Sequence, residues 1–215
     1  MENRESGIVL RPFTPSAHKF CVLTQRYGKI TLVVLNAQSA RCLRQGAIIS
    51  FLISEKNDSF YTTDRAEIIF IPLPQENHDL YWLHHLLEVC YFFLPMHEPI
   101  EEYFIVVSNG IYWMHNHNFT WAQWQVIKKV NIVVLMSLLG FAPPLHLQPS
   151  ARIIHKTLLW FIDFQKGQKV EFLSQHHDVF AAVSVDHLDV WLLECLQSHP
   201  RATVFKTLPF VYNKS

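Results

Sequence analysis

Lys19-Phe20-Cys21-Val22-Leu23-Thr24-Gln25-Arg26-Tyr27-Gly28-Lys29-Ile30-Thr31-Leu32-Val33 decides how the first third of this chain is read. Two runs rich in Val, Ile, Leu, Phe and Thr flank Gln25-Arg26-Tyr27-Gly28, which offers glycine where a hairpin connection needs positive φ. The segment therefore predicts two strands, Lys19 to Gln25 and Lys29 to Leu35, joined by a tight turn. Working outward, similar stretches occur at Gly7 to Pro12, Ala47 to Ser54 and Phe60 to Ile71, and Lys56-Asn57-Asp58-Ser59 is a turn cluster before the last.

Five short strands leave few ways to hide both edges of a sheet, and a partly open Greek-key barrel is the common solution. An OB-fold barrel is expected over residues 1–73, with a boundary at Pro72-Leu73-Pro74. A helical domain is expected over 74–215, making the chain α+β. Asp79 is the expected cap of a helix ending at Pro95, and Pro99 with Glu101 and Glu102 predicts a second. Thr120 and Gln123 fit a capping box for a long helix stopped by Gly140, with Pro143-Pro144 beyond. Ser150 to Ile162 and Asp186 to Leu196 read as further helices, with a strand-like piece at Lys169 to Leu173.

The 215 residues carry no net charge, but the charge is unevenly placed. Between Gly7 and Ser50 the ionised residues are Arg11, Lys19, Arg26, Lys29, Arg41 and Arg44, without one Asp or Glu. From Pro72 to Ile127 the order reverses: Glu76, Asp79, Glu88, Glu98, Glu101 and Glu102 appear without one Lys or Arg. That asymmetry points toward a polyanion partner for the first segment, with an ordinary solvated face as the other reading. The acidic segment reads as the solvated side of helices or as a docking face.

Small barrels bind single strands by combining a cationic groove with aromatic platforms. Phe13, Phe20, Tyr27, Phe51, Phe60 and Tyr61 are the aromatic supply, and most must fill the barrel interior. Tyr27, in a turn between Arg26 and Lys29, is the ring expected to be exposed. The expected DNA contacts are thus Arg11, Lys19, Arg26, Tyr27, Lys29, Arg41 and Arg44.

Covalent chemistry finds little support. No Gly-rich phosphate loop or Ser-centred nucleophile elbow is present. The pairs His84-His85 with Glu88, His115 with His117, and His176-His177 with Asp178 lack the ligand spacing of a zinc site. No catalytic residue, metal or cofactor is expected, and the protein reads as a non-enzyme. Cys21, Cys42, Cys90 and Cys195 are widely spaced, which suits reduced, buried thiols, although a disulfide stays open. Met1 to Ser6 lacks the pattern of a secretory signal, and no apolar run reaches the roughly 18 residues of a membrane span. A cytoplasmic protein is expected.

Three segments, in order, resemble the RecO family of DNA repair and recombination mediators. Lys19 to Val33 resembles its strand, Gly turn and strand; Tyr81 to Phe104 resembles its first helix pair; and Ser137-Leu138-Leu139-Gly140-Phe141-Ala142-Pro143 resembles the stop of its long central helix. The likeness covers residues 7 to about 145 and weakens beyond. It implies an OB-fold plus helical domain that binds single- and double-stranded DNA and anneals complementary strands. It further implies work with a RecR-like protein and the single-strand-binding protein to load a RecA-like recombinase. Leu35-Asn36-Ala37-Gln38 departs from the family's basic turn, for which Arg41 and Arg44 offer a substitute, and the four-cysteine zinc module of many relatives has no counterpart here. An adaptor of the same fold with little DNA affinity is the alternative.

Overall fold

The structure is a computed structural model, and it describes residues 4–13, 18–57, 59–74, 76–116, 121–141, 185–200, 202–208 and 211. Its strands are β1 (Glu5–Pro12), β2 (Lys19–Thr24), β3 (Gly28–Val34), β4 (Ile48–Phe51), β5 (Glu55–Lys56), β6 (Tyr61–Thr63) and β7 (Ala66–Phe70). Its helices are α1 (Ala37–Cys42), α2 (Asn77–Phe93), α3 (Glu101–Asn116), α4 (Trp121–Leu138) and α5 (Val185–Gln197), followed by a 3-10 turn at Ala202–Val204. The fold is mixed α+β: one seven-strand sheet, then helices. The chain divides into two compact units, Met1–His115 and Asn116–Ser215, so the first two long helices belong with the sheet. The composition change, by contrast, falls at Pro72.

All five expected strands form. The β2–β3 hairpin turns on Gly28 at φ +66, and the Thr24 hydroxyl accepts from the Tyr27 amide at 3.1 Å while donating to the Gly28 carbonyl at 3.0 Å. The last stretch is interrupted at Asp64-Arg65, giving β6 and β7, and the short β5 ends on the first residue of the expected turn cluster. The strand order is β5-β6-β3-β2-β1-β4-β7, so the hydrogen-bonded sheet has two ends and does not close into a ring. β3 and β6 run parallel; every other pair is antiparallel.

One face of the sheet holds a core of Val9, Phe20, Val22, Ile30, Leu32, Val34, Ile49, Phe51 and Tyr61. Alternate residues Ile8, Cys21 and Leu23 are buried as well, which is why these strands read as continuous apolar runs. α2 packs on β1. The register of β1 shifts between Val9 and Arg11, so Arg11 comes to lie opposite Cys21 rather than on the inward face of Val9. A bulge has turned a cation out of the core.

α1 was not expected from the sequence. Asn36 caps it, its side-chain oxygen accepting from the Ser39 amide at 2.9 Å. α2 starts at Asn77 with Glu76 as its cap residue, so Asp79 lies inside the first turn, buried, rather than at the cap. Acid is still favoured there by the helix dipole. Leu94 leaves the helix in extended conformation, as the residue before Pro95 must.

In the second unit, α4 ends as expected on Gly140 at φ +87. The Phe141 amide donates to Met136 and the Gly140 amide to Ser137, both at 3.0 Å, which is a complete Schellman closure. α4 and α5 pack together, and Lys129 pairs with Asp189 at 2.5 Å. The expected features at Thr120, Ser150 to Ile162 and Lys169 to Leu173 lie outside the described residues. Among the described residues no helix is long and apolar enough to cross a membrane.

Candidate nucleic-acid interface

Four of the expected contacts gather at one end of the sheet. β1 ends and β2 begins there, with Arg11 exposed and Lys19 half-buried. β3 ends beside them: Val33 pairs with Lys19, and the Val34 amide donates to His18 at 2.9 Å. The chain then enters α1, which carries exposed Arg41, passes exposed Arg44, and rejoins β1 where the Gly46 amide meets the Val9 carbonyl at 2.8 Å. Arg44 is held there by donating to the Arg41 carbonyl at 2.6 Å, which also closes the end of α1.

An exposed ring lies in the same place. Phe13 is 40 % exposed, its amide donates to Lys19 at 2.9 Å, and the Lys19 ammonium stands 5.3 Å from its centroid. The ring quadrupole holds the Lys19 cation there.

Arg26 stands apart. It follows β2 while Lys19 opens it, and six extended residues at about 3.3 Å each separate them by roughly 20 Å. Its guanidinium is 3.4 Å from the buried Glu5 carboxylate, and its amide donates to the same group at 3.0 Å. Burial pushes the Glu5 pKa up, while the amide and charge of Arg26 pull it down. Arg26 serves as the counter-charge of a desolvated acid.

Two expectations are corrected by packing. Lys29 is not a surface contact: it is 6 % exposed, and its ammonium donates to the Tyr91 carbonyl at 2.7 Å. Tyr91 would ordinarily receive the amide four residues on, but that residue is Pro95, which has none. Lys29 supplies the missing donor and places positive charge at the C-terminus of α2. Arg11 flanks the same ring at 5.3 Å and Lys29 at 5.7 Å. Tyr27, expected to be exposed, is half-buried and packs on the sheet core, its centroid 5.4 Å from that of Tyr61.

β2 and β3 are buried on both faces, apart from the half-buried Lys19 and Val33. The β2–β3 face that OB-folds present to oligonucleotides is therefore occupied by protein, and a ligand is left with strand ends and loops. Sequence reasoning missed one grouping at such a loop: Lys56 stands 5.6 Å from the Tyr61 centroid, and His97 lies 6.0 Å from it. Lys56 sat in a turn cluster and His97 in a helix connection, so no local pattern linked them.

Among the described residues, burial acts on the thiols of Cys21 and Cys90 and on the imidazole of His85. Burial raises the Cys21 pKa to about 11 despite nearby Lys29 and Arg11, and raises that of Cys90 further. Cys42 is exposed, against the expectation of burial, and all four cysteines are free. His85 is fully buried and its pKa falls to about 3, so it adds no positive charge. Among the described residues no cluster of three or more His, Cys, Asp or Glu could hold a metal ion.

No family model matches this chain, and a search of curated proteins finds no match.

Proposed function

We propose that this protein binds nucleic acid at the sheet end bearing Arg11, Lys19, Arg41 and Arg44, as a RecO-like DNA repair and recombination mediator of the bacterial cytosol. It takes up single- and double-stranded DNA and anneals complementary strands. With a RecR-like protein it helps to load a RecA-like recombinase onto DNA coated by single-strand-binding protein. Annealing needs neutralised phosphates and no covalent step, so no catalytic residue enters.

The observation that carries this reading is that Arg11 and Lys19 stand where β1 ends and β2 begins, Lys19 lying 5.3 Å from the exposed ring of Phe13, and that the stretch carrying Arg41 and Arg44 leaves the neighbouring end of β3, with no carboxylate in the sequence between Gly7 and Ser50. The strand connectivity supports an OB-type barrel as the scaffold. β6 and β7 are separated by two residues, yet β6 bonds to β3 and β7 to β4, so one bent strand joins both flanks of the β3-β2-β1-β4 ladder. A helix between the third and fourth strands completes the arrangement.

The test is annealing of complementary oligonucleotides carrying a donor and an acceptor dye. The native protein accelerates duplex formation, and the variant Arg11→Ala, Lys19→Ala, Arg41→Ala, Arg44→Ala does not. A folded native protein that leaves the rate unchanged contradicts the mediator reading.

A second reading, a protein adaptor of the same fold, is favoured by one observation. Ile69, Ile71 and Leu73 form an exposed apolar row at the end of β7 and just beyond it, 55 %, 41 % and 61 % accessible. Apolar rows of that kind mark association surfaces. Such an adaptor binds its partner without regard to salt and gives no annealing.

A further inference from the structure

Tyr61 is the centre of a ring cluster that the cationic end of the sheet does not use. The Tyr27 centroid lies 5.4 Å from it with the planes at 48°, and the His97 centroid 6.0 Å from it with the planes at 34°. The Lys56 ammonium stands 5.6 Å from the same centroid. These four residues come from the β2–β3 turn, the α2–α3 connection, β5 and β6, so the fold has brought together groups with no sequence relation.

Their burial is graded. Tyr61 is 3 % exposed and forms the floor. Tyr27 is half-buried on one side of it, while His97 and Lys56 are exposed.

His97 is also held in an unusual backbone conformation, φ +60, which disfavours any residue with a β-carbon. Three contacts impose it. Met96 bridges to Lys29, the His97 amide donates to the Lys29 carbonyl at 2.9 Å, and the Glu98 carbonyl presses on Gly28, where a β-carbon would lie 2.0 Å away. Glycine would satisfy that conformation without strain, yet the position carries an exposed aromatic ring. Left-handed residues kept against their preference concentrate at functional sites.

We propose that Tyr27, Lys56, Tyr61 and His97 form a stacking site for one unpaired base of a single-stranded nucleic acid. The base lies on the exposed imidazole, Tyr61, itself packed on Tyr27, backs that ring, and Lys56 takes the neighbouring phosphate. Every base has a π-face, so the site tolerates any sequence and requires only that the base be unpaired. This inference rests on the nucleic-acid reading above and adds where a base, rather than a phosphate, is held.

The experiment compares binding of labelled oligothymidylate with that of an abasic oligomer of equal length and charge, by fluorescence anisotropy. The native protein prefers the base-bearing strand by roughly fivefold or more, the effect of one stacked base. His97→Gly, which suits the local backbone, removes that preference and leaves the affinity for the abasic strand unchanged. Lys56→Ala weakens both strands alike. Equal binding of the two oligomers by the native protein, or a preference that survives in His97→Gly, overturns the stacking site alone. No binding of either strand at low salt overturns the nucleic-acid reading and this site with it.

Discussion

Gly28 and Gly140 show how two residues with the same backbone demand differ in consequence. Their φ values are +66 and +87, so alanine is strained at both. Nothing lies within 4 Å of a β-carbon at Gly140, and Gly140→Ala should lower stability by about 1 kcal/mol, the conformational term alone. At Gly28 the obstruction is the backbone carbonyl of Glu98, which cannot rotate away. Gly28→Ala should cost upwards of about 3 kcal/mol, because the Met96 to Glu98 segment must leave β3. Urea titrations of both variants check the ranking. Lys29 makes a second residue-level prediction: Lys29→Met, keeping the stem but losing the bond to the Tyr91 carbonyl, should cost about 1.5–3 kcal/mol. Its DNA affinity, measured where it is folded, should stay within about twofold of native, since a buried ammonium neutralises no phosphate.

The elements were readable where a period or a stop signal was present. Alternating and continuous apolar runs predicted the five strands, and Pro95 and Gly140 predicted two helix ends. α1 escaped because its six residues make fewer than two turns, too short for a period, although Asn36 followed by Ala37 and Gln38 carried a cap signal. The two-residue β5 escaped for the same reason. Side-chain environments were less readable, since Lys29 meets a carbonyl 62 positions away. Tyr27 was misjudged from its polar neighbours in sequence, while its surroundings are set by Tyr61. Between helices, the Lys129–Asp189 pair joins α4 to α5 with side chains 16 % and 15 % exposed. Removing one partner leaves a poorly solvated charge, so a double-mutant cycle over Lys129→Met and Asp189→Leu should return a coupling of about 1 kcal/mol or more. A coupling near zero would show that the pair contributes nothing to holding the two helices.

At the scale of the whole molecule, two charge effects act separately. His85 stays neutral in the folded protein down to about pH 3, whereas an unfolded histidine takes up its proton near pH 6.5. The unfolded state therefore binds more protons between those values, and stability falls on acidification below about 6.5 by roughly 1.4 kcal/mol per pH unit. The urea midpoint of the native protein should fall between pH 7 and 5 more steeply than that of His85→Gln. The second effect concerns the surface: a chain of zero net charge carries its exposed cations of the first segment mainly at one end of a sheet. On the proposed reading, local arrangement rather than net charge is what would recruit DNA. The decisive measurement is the salt dependence of affinity for a single-stranded oligonucleotide. The log-log slope should become shallower by about 0.7 for each of Arg11, Lys19, Arg41 and Arg44 replaced by alanine, and be unmoved by Lys29→Met. A native slope near zero, or one unchanged when all four are replaced, would contradict the proposed reading.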